Sequence, residues 1–290
     1  MAGDFFLLFT FAPVLRGLFA LVLGGTFFPL CGVMVLKMNL IPLRYMLMHG
    51  VILGSALALA LNIPVLPVCM AVNVFLVILM LFFGRSSSAV YISGSENEKS
   101  GFAPSSAAVM VLSMALSGII MHAGDVSAKD TLSIIWGSPL ALKKTDLIVL
   151  LVLSIIILLY SVLNFQNLLA LFFNPELASS LGIKTKFHYT LMVFIVALVT
   201  ALAMKILGAF LIDSLLILPV LSSSLILKIR KGKKGGIKRL FISSSLTGLV
   251  FSLSGYLISL VLSWPPSATI SLLSGLVFII LKILERSFVK

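Results

Sequence analysis

Residues 174–224 read NPELASSLGIKTKFHYTLMVFIVALVTALAMKILGAFLIDSLLILPVLSSS, a short polar segment joined to a long apolar one that holds a carboxylate, Asp213. The polar part has the chemistry of a capped helix. Asn174 offers a side-chain oxygen to the first free amides, Pro175 suits the first helical position, and Glu176 favours the positive end of the helix dipole. Gly182 stands where a left-handed C-terminal residue is wanted. The expected helix has about two turns, with Leu177, Ala178 and Leu181 on one side, and is too short to be stable without packing support. It reads either as a plain connection between two apolar segments or as a rigid knob on which a soluble protein pushes. The apolar part reads as a membrane hairpin. The two together suit a chain that turns a push from outside the bilayer into movement through it.

Composition sets the class around this stretch. The chain has 290 residues, of which 60% are hydrophobic and 10% charged, with a mean hydropathy of +1.23. Soluble domains are roughly 45–50% apolar and about 25% charged. Repeated apolar runs of about 20 residues each suffice to cross a hydrocarbon core of ~30 Å. The expected fold is therefore an all-α polytopic helical bundle of about nine transmembrane segments, eight at the least. Spans are expected near 14–36, 46–62, 65–84, 104–122, 146–165, 187–205, 207–227, 239–262 and 267–284. The chain reads as a single transmembrane domain over 1–290. The segment between 122 and 146 is too polar to span and is expected to form a short helix at the membrane surface. The first apolar run reads as a membrane helix rather than a cleaved signal.

Basic residues orient the bundle. With the N-terminus outside, sixteen of the 21 Lys and Arg fall on the cytoplasmic side and five outside, which satisfies the positive-inside rule. The C-terminus is then cytoplasmic, and so is the 174–182 helix. The net charge of +12 follows from this bias and requires no nucleic-acid partner. The run KIRKGKKGGIKR lies between two spans and faces anionic lipid. The run RSSSAVYISGSENEKSG reads as a cytoplasmic loop. Cys31 and Cys69 sit in apolar runs and make no disulfide framework.

Four stretches, in order, carry a family resemblance: the opening span leading to VLKMNLI, WGSPLALKKTDL at 136–147, NPELASSLGIKTK followed by LGAFLIDSLLILPVLSSSLI, and GYLISLVLSWPPSATISLL at 255–273. Together they resemble the permeases of bacterial ABC importers for zinc, manganese and iron. That resemblance implies the ABC-importer permease fold and residence in the bacterial inner membrane. Partners would be a cytoplasmic ATP-binding subunit, an extracytoplasmic substrate-binding protein and a second permease copy or paralogue. It also implies that residues 174–182, namely Asn174, Pro175, Glu176, Leu177, Ala178, Leu181 and Gly182, form the coupling helix. No intrinsic cofactor is expected: a divalent metal ion is cargo, and ATP belongs to the partner.

Ionisable groups inside spans are the candidates for cargo contact. Asp213 lies about 9 Å deep in its expected helix, at ~1.5 Å per residue. It reads equally as a ligand for a passing cation or as a hydrogen-bonded group fixing a helix broken near Gly208 and Pro219. The resembled family has a small or hydroxyl residue near this position. His49 is the second candidate. The family commonly has an Asp-x-x-x-His pair there, but Tyr45 stands four residues before His49 here, so the pair is broken. Cys31, Met46 and Met48 would add a soft set or serve as apolar filling. His122 and Asp125, three apart, would share a face near the outer mouth if their helix continues that far. Otherwise they are solvated end residues.

The sequence has no GxxxxGK[ST] loop and no HExxH, so it reads as a transporter subunit without enzymatic activity of its own. The expected function is permeation of a divalent transition metal by alternating access. The alternatives are a metal chelate or other small solute as cargo, or an ion-coupled secondary carrier working through Asp213.

Overall fold

Backbone polar groups in hydrocarbon must be satisfied within the protein, by helices or closed barrels, and continuous apolar runs of about 20 residues suit the helix. The computed structural model describes residues 11–86, 102–127, 129, 136–231 and 236–288. Its helices are α1 (Ala12–Lys37), α2 (Ile41–Ala60), α3 (Val65–Ser86), α4 (Phe102–Ala123), α5 (Lys144–Leu163) and α6 (Phe165–Phe173). They continue with α7 (Pro175–Ser180), α8 (Thr185–Leu207), α9 (Ala209–Leu216), α10 (Leu218–Lys231), α11 (Ile237–Leu262) and α12 (Pro266–Phe288). Among the described residues there is no strand. Among the described residues eight helical stretches are long and apolar enough to cross a membrane, with α9 and α10 together making one of them, Ala209–Ile229. The apolar helix Val65–Met80, part of α3, comes in addition.

The helix ends show why the boundaries fall where they do. Asn39, Asn62, Asp125, Gly182 and Ser263 all adopt positive φ just past a helix. In each case the next residue's amide bonds back five positions, as in Leu40 to Val35, Ile63 to Ala58 and Trp264 to Ser259. This bond satisfies a carbonyl that the helix would otherwise leave open. At the start of α5, Asp146 accepts from the Lys143 amide at 2.9 Å, half of a capping box.

Three expectations from sequence change. The second span begins at Ile41 rather than 46, because Pro42 is accommodated in its first turn. The span expected at 207–227 is two helices, α9 and α10, meeting at Ile217. A further helix, α6, fills Phe165–Phe173, where neither charge nor Pro or Gly marks a boundary; it buries Leu168 and Leu171. The surface helix expected over 122–146 falls partly on residues 128 and 130–135, outside the described set. The described part after Gly137 is a 3-10 turn at Pro139–Ala141. Most of the 85–101 run and residues 232–235 of the basic loop also lie outside it.

The chain divides into two compact units. One is Met1–Val33, Trp136–Leu159 and Ile206–Lys290; the other is Met34–Ile135 and Tyr160–Lys205. In the first, α1 lies backbone to backbone on α11: a Cβ on Gly25 would overlap the Ser252 side chain, and one on Gly248 would overlap the Gly25 carbonyl. Small residues permit this approach, which lipid-embedded helices use in place of a hydrophobic drive. Ser245 Oγ donates to the Thr26 carbonyl at 2.6 Å and Tyr256 Oη to that of Val14 at 2.8 Å. At one end, buried Glu285 of α12 pairs with Lys282 at 2.6 Å and with Lys228 of α10. In the second unit α2 packs on α3 and α4. Asn73 Nδ2 donates to the Cys69 carbonyl at 2.9 Å, and an apolar cavity of about 400 Å³ opens between Leu53, Phe75 and Leu112.

The glycine contact gives a direct test of the α1–α11 packing. Gly248→Leu should destabilise the purified protein by at least ~1–3 kcal/mol, the usual cost of overpacking. A Cβ on Gly275 meets nothing within 4 Å. Gly275→Ala should therefore leave the melting temperature in detergent unchanged or slightly raised, and a melting curve of each variant checks both.

Candidate functional site

The 174–182 segment is built as a closed unit. Asn174 is extended (φ −159°, ψ 112°) and its Oδ1 accepts from the amides of Glu176 at 2.8 Å and Leu177 at 3.2 Å. Ser179 and Ser180 hydroxyls both donate to the Glu176 carbonyl, at 2.7 and 3.1 Å. At the other end Gly182 (φ +81°) lets its own amide reach the Ser179 carbonyl and the Ile183 amide reach that of Ala178. Six helical residues are thus capped at both ends, which offsets their short length. The three apolar residues do not share one side. Ala178 is buried, whereas Leu177 and Leu181, one turn apart, are 63% and 76% exposed. Packing support enters through the small residue, and the two large ones are presented outward.

Asp213 sits half-buried on α9, five positions past Gly208, roughly 7–8 Å along the axis at ~1.5 Å per residue. Gly208 opens α9 at φ +95°, a conformation strained for any L side chain. Gly137, at φ +56°, lies against it so closely that a Cβ on either would overlap the other's backbone. Trp136 stacks at a tilt on Phe210 with centroids 5.1 Å apart, and Ser267 Oγ donates to the Gly137 carbonyl at 3.3 Å. Arg16 Nη1 donates to the Leu142 carbonyl at 3.3 Å. Ser214 Oγ donates to Ser271 Oγ at 2.6 Å and ties α9 to α12. Three stretches far apart in sequence, WGSPL, LGAFLID and PPSATIS, therefore meet at the start of α9. Pro219 supplies no amide to the Leu215 carbonyl, which accounts for the break after Leu216. There the backbone is pressed on α1: a Cβ on Gly32 would overlap the Leu216 carbonyl.

His49 is half-buried two turns into α2, with its Nδ1 2.8 Å from the Tyr45 carbonyl. A carbonyl only accepts, so the proton sits on Nδ1, and in the neutral ring Nε2 keeps its lone pair. This is the tautomer that suits an imidazole to metal coordination. His122 and Asp125 are both exposed and do not share a helix face. Helix α4 ends at Ala123, and Asp125 turns at φ +48° as the cap residue. Cys31 and Met46 are fully buried, and Met48 is half-buried. Among the described residues no three His, Cys, Asp or Glu side chains gather to hold a metal ion.

Sequence reasoning passed over His188. It is 8% exposed in the first turn of α8, its Nε2 lies 3.3 Å from Asn167 Nδ2, and its carbonyl accepts from Tyr160 Oη at 3.2 Å. A histidine one position into an apolar run, beside a capped helix, was the available signal.

Comparison with known proteins fits this architecture. The chain is 29% identical over 234 residues to the manganese import system permease protein ScaB of Streptococcus gordonii, covering 80% of this chain and 77% of the relative. It is 32% identical over 123 residues to the high-affinity zinc uptake system membrane protein ZnuB of Haemophilus influenzae, covering 42% and 47%. Its fold matches a chain in the solved structure of PsaBC from Streptococcus pneumoniae in complex with Fab, with a TM-score of 0.76 and 22% identity over 97% of this chain and 95% of that one. The model of the ABC 3 transport family matches residues 11–285, nearly the whole of the described bundle. This polytopic membrane permease belongs to the ABC 3 transport family.

Proposed function

We propose that this chain is the permease subunit of an ATP-driven importer that carries manganese or zinc into the cytoplasm by alternating access. The observation that carries the reading is α7: a helix capped at both ends, one small residue buried, two leucines held out, in a member of a family whose relatives are named metal import permeases. The chain has no nucleotide loop of its own, so hydrolysis falls to a separate cytoplasmic subunit docking on Leu177 and Leu181. Two permeases, identical or paralogous, enclose the path, and a binding protein delivers cargo from outside. The positive-inside bias supports an orientation with the N-terminus outside and α7 inside.

Within this reading Asp213 and His49 are separate candidates for cation contact, with the oxygen or nitrogen donors that borderline metals accept. His122 and Asp125, exposed at the end of α4, are receiving groups at the outer mouth. A chelated metal is the second reading. It is favoured by Tyr45, which stands where a carboxylate would pair with His49 and offers that ring only a backbone carbonyl.

Three outcomes test these assignments. Replacing both Leu177 and Leu181 by Asp should cut co-purification of a co-expressed ATP-binding subunit by about tenfold or more, equivalent to ~1.4 kcal/mol. Membrane insertion should be unaffected, and full retention of the subunit would remove α7 from the contact. Asp213→Asn should lower manganese or zinc uptake by about tenfold or more without loss of assembly, since the carboxylate charge is what a cation senses. Normal uptake would return Asp213 to a structural role. A cysteine placed at Leu181 should react with a membrane-impermeant maleimide only in inverted vesicles, and one at His122 only in intact cells.

A further inference from the structure

α7 stands on a loop of chain whose base is closed by polar contacts. Tyr160, in the last turn of α5, and Asn167, on α6, come before α7; His188, on α8, comes after it. Tyr160 and Asn167 are seven positions apart, two helical turns, so across the bend at Asn164 both can reach one partner. That partner is His188. Tyr160 Oη donates to its backbone carbonyl at 3.2 Å, and Asn167 Nδ2 lies 3.3 Å from its Nε2. The second contact joins residues 21 positions apart in sequence, and α7 lies between them. His188 and Tyr160 are buried, and the Nδ1 atom of His188 has no hydrogen-bond partner among the described residues.

Leu168 and Leu171 are buried on α6, and Met192 and Val193 on α8. Packed methyl groups slide over one another, however. A hydrogen bond to an imidazole edge fixes the rotation of α8 about its axis, and the low polarity around it strengthens that constraint. We propose that His188 is a positioning residue: it locks the base of the α7 loop to α8, so that displacement of α7 is passed into α8 instead of being absorbed as slip. The unpartnered Nδ1 gives the ring a second bonding edge, available when α8 shifts. This inference rests on the reading of α7 as the ATPase contact.

The test compares transport with hydrolysis in the complete complex, reconstituted in proteoliposomes with the ATP-binding subunit and the binding protein, using manganese as probe. For His188→Ala the expected result is wild-type retention of the ATP-binding subunit, ATP hydrolysis within about twofold of wild type, and manganese moved per ATP reduced about tenfold, within the usual range of coupling effects. His188→Gln, whose amide can still meet Asn167, should recover a large part of that ratio. Tyr160→Phe should lower it less than His188→Ala does. An unchanged ratio, or uptake and hydrolysis falling together in an intact complex, would overturn the role of His188 and leave the ATPase contact standing. A wild-type chain that retains no ATP-binding subunit would overturn both. If His188→Ala fails to assemble, Asn167→Ala removes the same bond from the α6 side while keeping the buried ring, and its ratio decides by the same criterion.

Discussion

In hydrocarbon a backbone carbonyl or amide without a partner costs several kcal/mol, and the membrane part of this chain is organised around the few places where its helices break. The breaks at Gly208 and Ile217 bound an eight-residue helix, α9, that carries Asp213. Both lie against backbone brought up from elsewhere in the same unit. At Gly208 the neighbour is the Trp136–Gly137 turn, and the two glycines allow the approach by having no Cβ. At Ile217 the neighbour is α1, where Gly32 leaves room for the Leu216 carbonyl. The Ser214–Ser271 bond then fixes α9 on α12. The carboxylate is thus presented from a short helix held at both ends by close backbone contacts.

α7 answers the opposite problem. It has too few residues to be stable by propagation of helical hydrogen bonds, so its ends are closed by Asn174 and Gly182. The result is a small rigid body whose large apolar side chains remain outside the core. Exposed leucines on a capped helix favour contact with another protein, whereas exposed leucines along the spanning helices face lipid. Between the two, the polar contacts of His188 with Asn167 and Tyr160 resist slip at the base of the loop. In the proposed function, coupling and cargo contact would thus fall to different kinds of structure: a short capped helix for the first, a helix between two breaks for the second.

Much of this was legible in the sequence, for identifiable reasons. Spans are set by length and hydropathy, which local composition reports directly. The ends of α7 were legible because Asn, Pro and Gly act on neighbouring residues. α6 was not, since FQNLLALFF carries no punctuation and its bend from α5 at Asn164 depends on tertiary packing. The outward turn of Leu177 and Leu181 away from Ala178 was equally hidden, because adjacent apolar residues on a two-turn helix do not reveal which is covered. The meeting of Gly137 with Gly208 needs contacts between residues 71 positions apart (208 less 137), which no local pattern encodes. His188 was overlooked because its partners lie 21 and 28 positions away.

In the proposed function this permease works by coupling to a separate ATPase in the service of metal import. ATP hydrolysis by the purified complex in proteoliposomes, measured with the binding protein empty and then loaded with manganese or zinc, tests it most directly. The metal-loaded binding protein is expected to raise hydrolysis several-fold, with metal accumulating inside only while ATP is consumed. Metal accumulation that proceeds without ATP, or the absence of any ATPase bound to the chain, would contradict it.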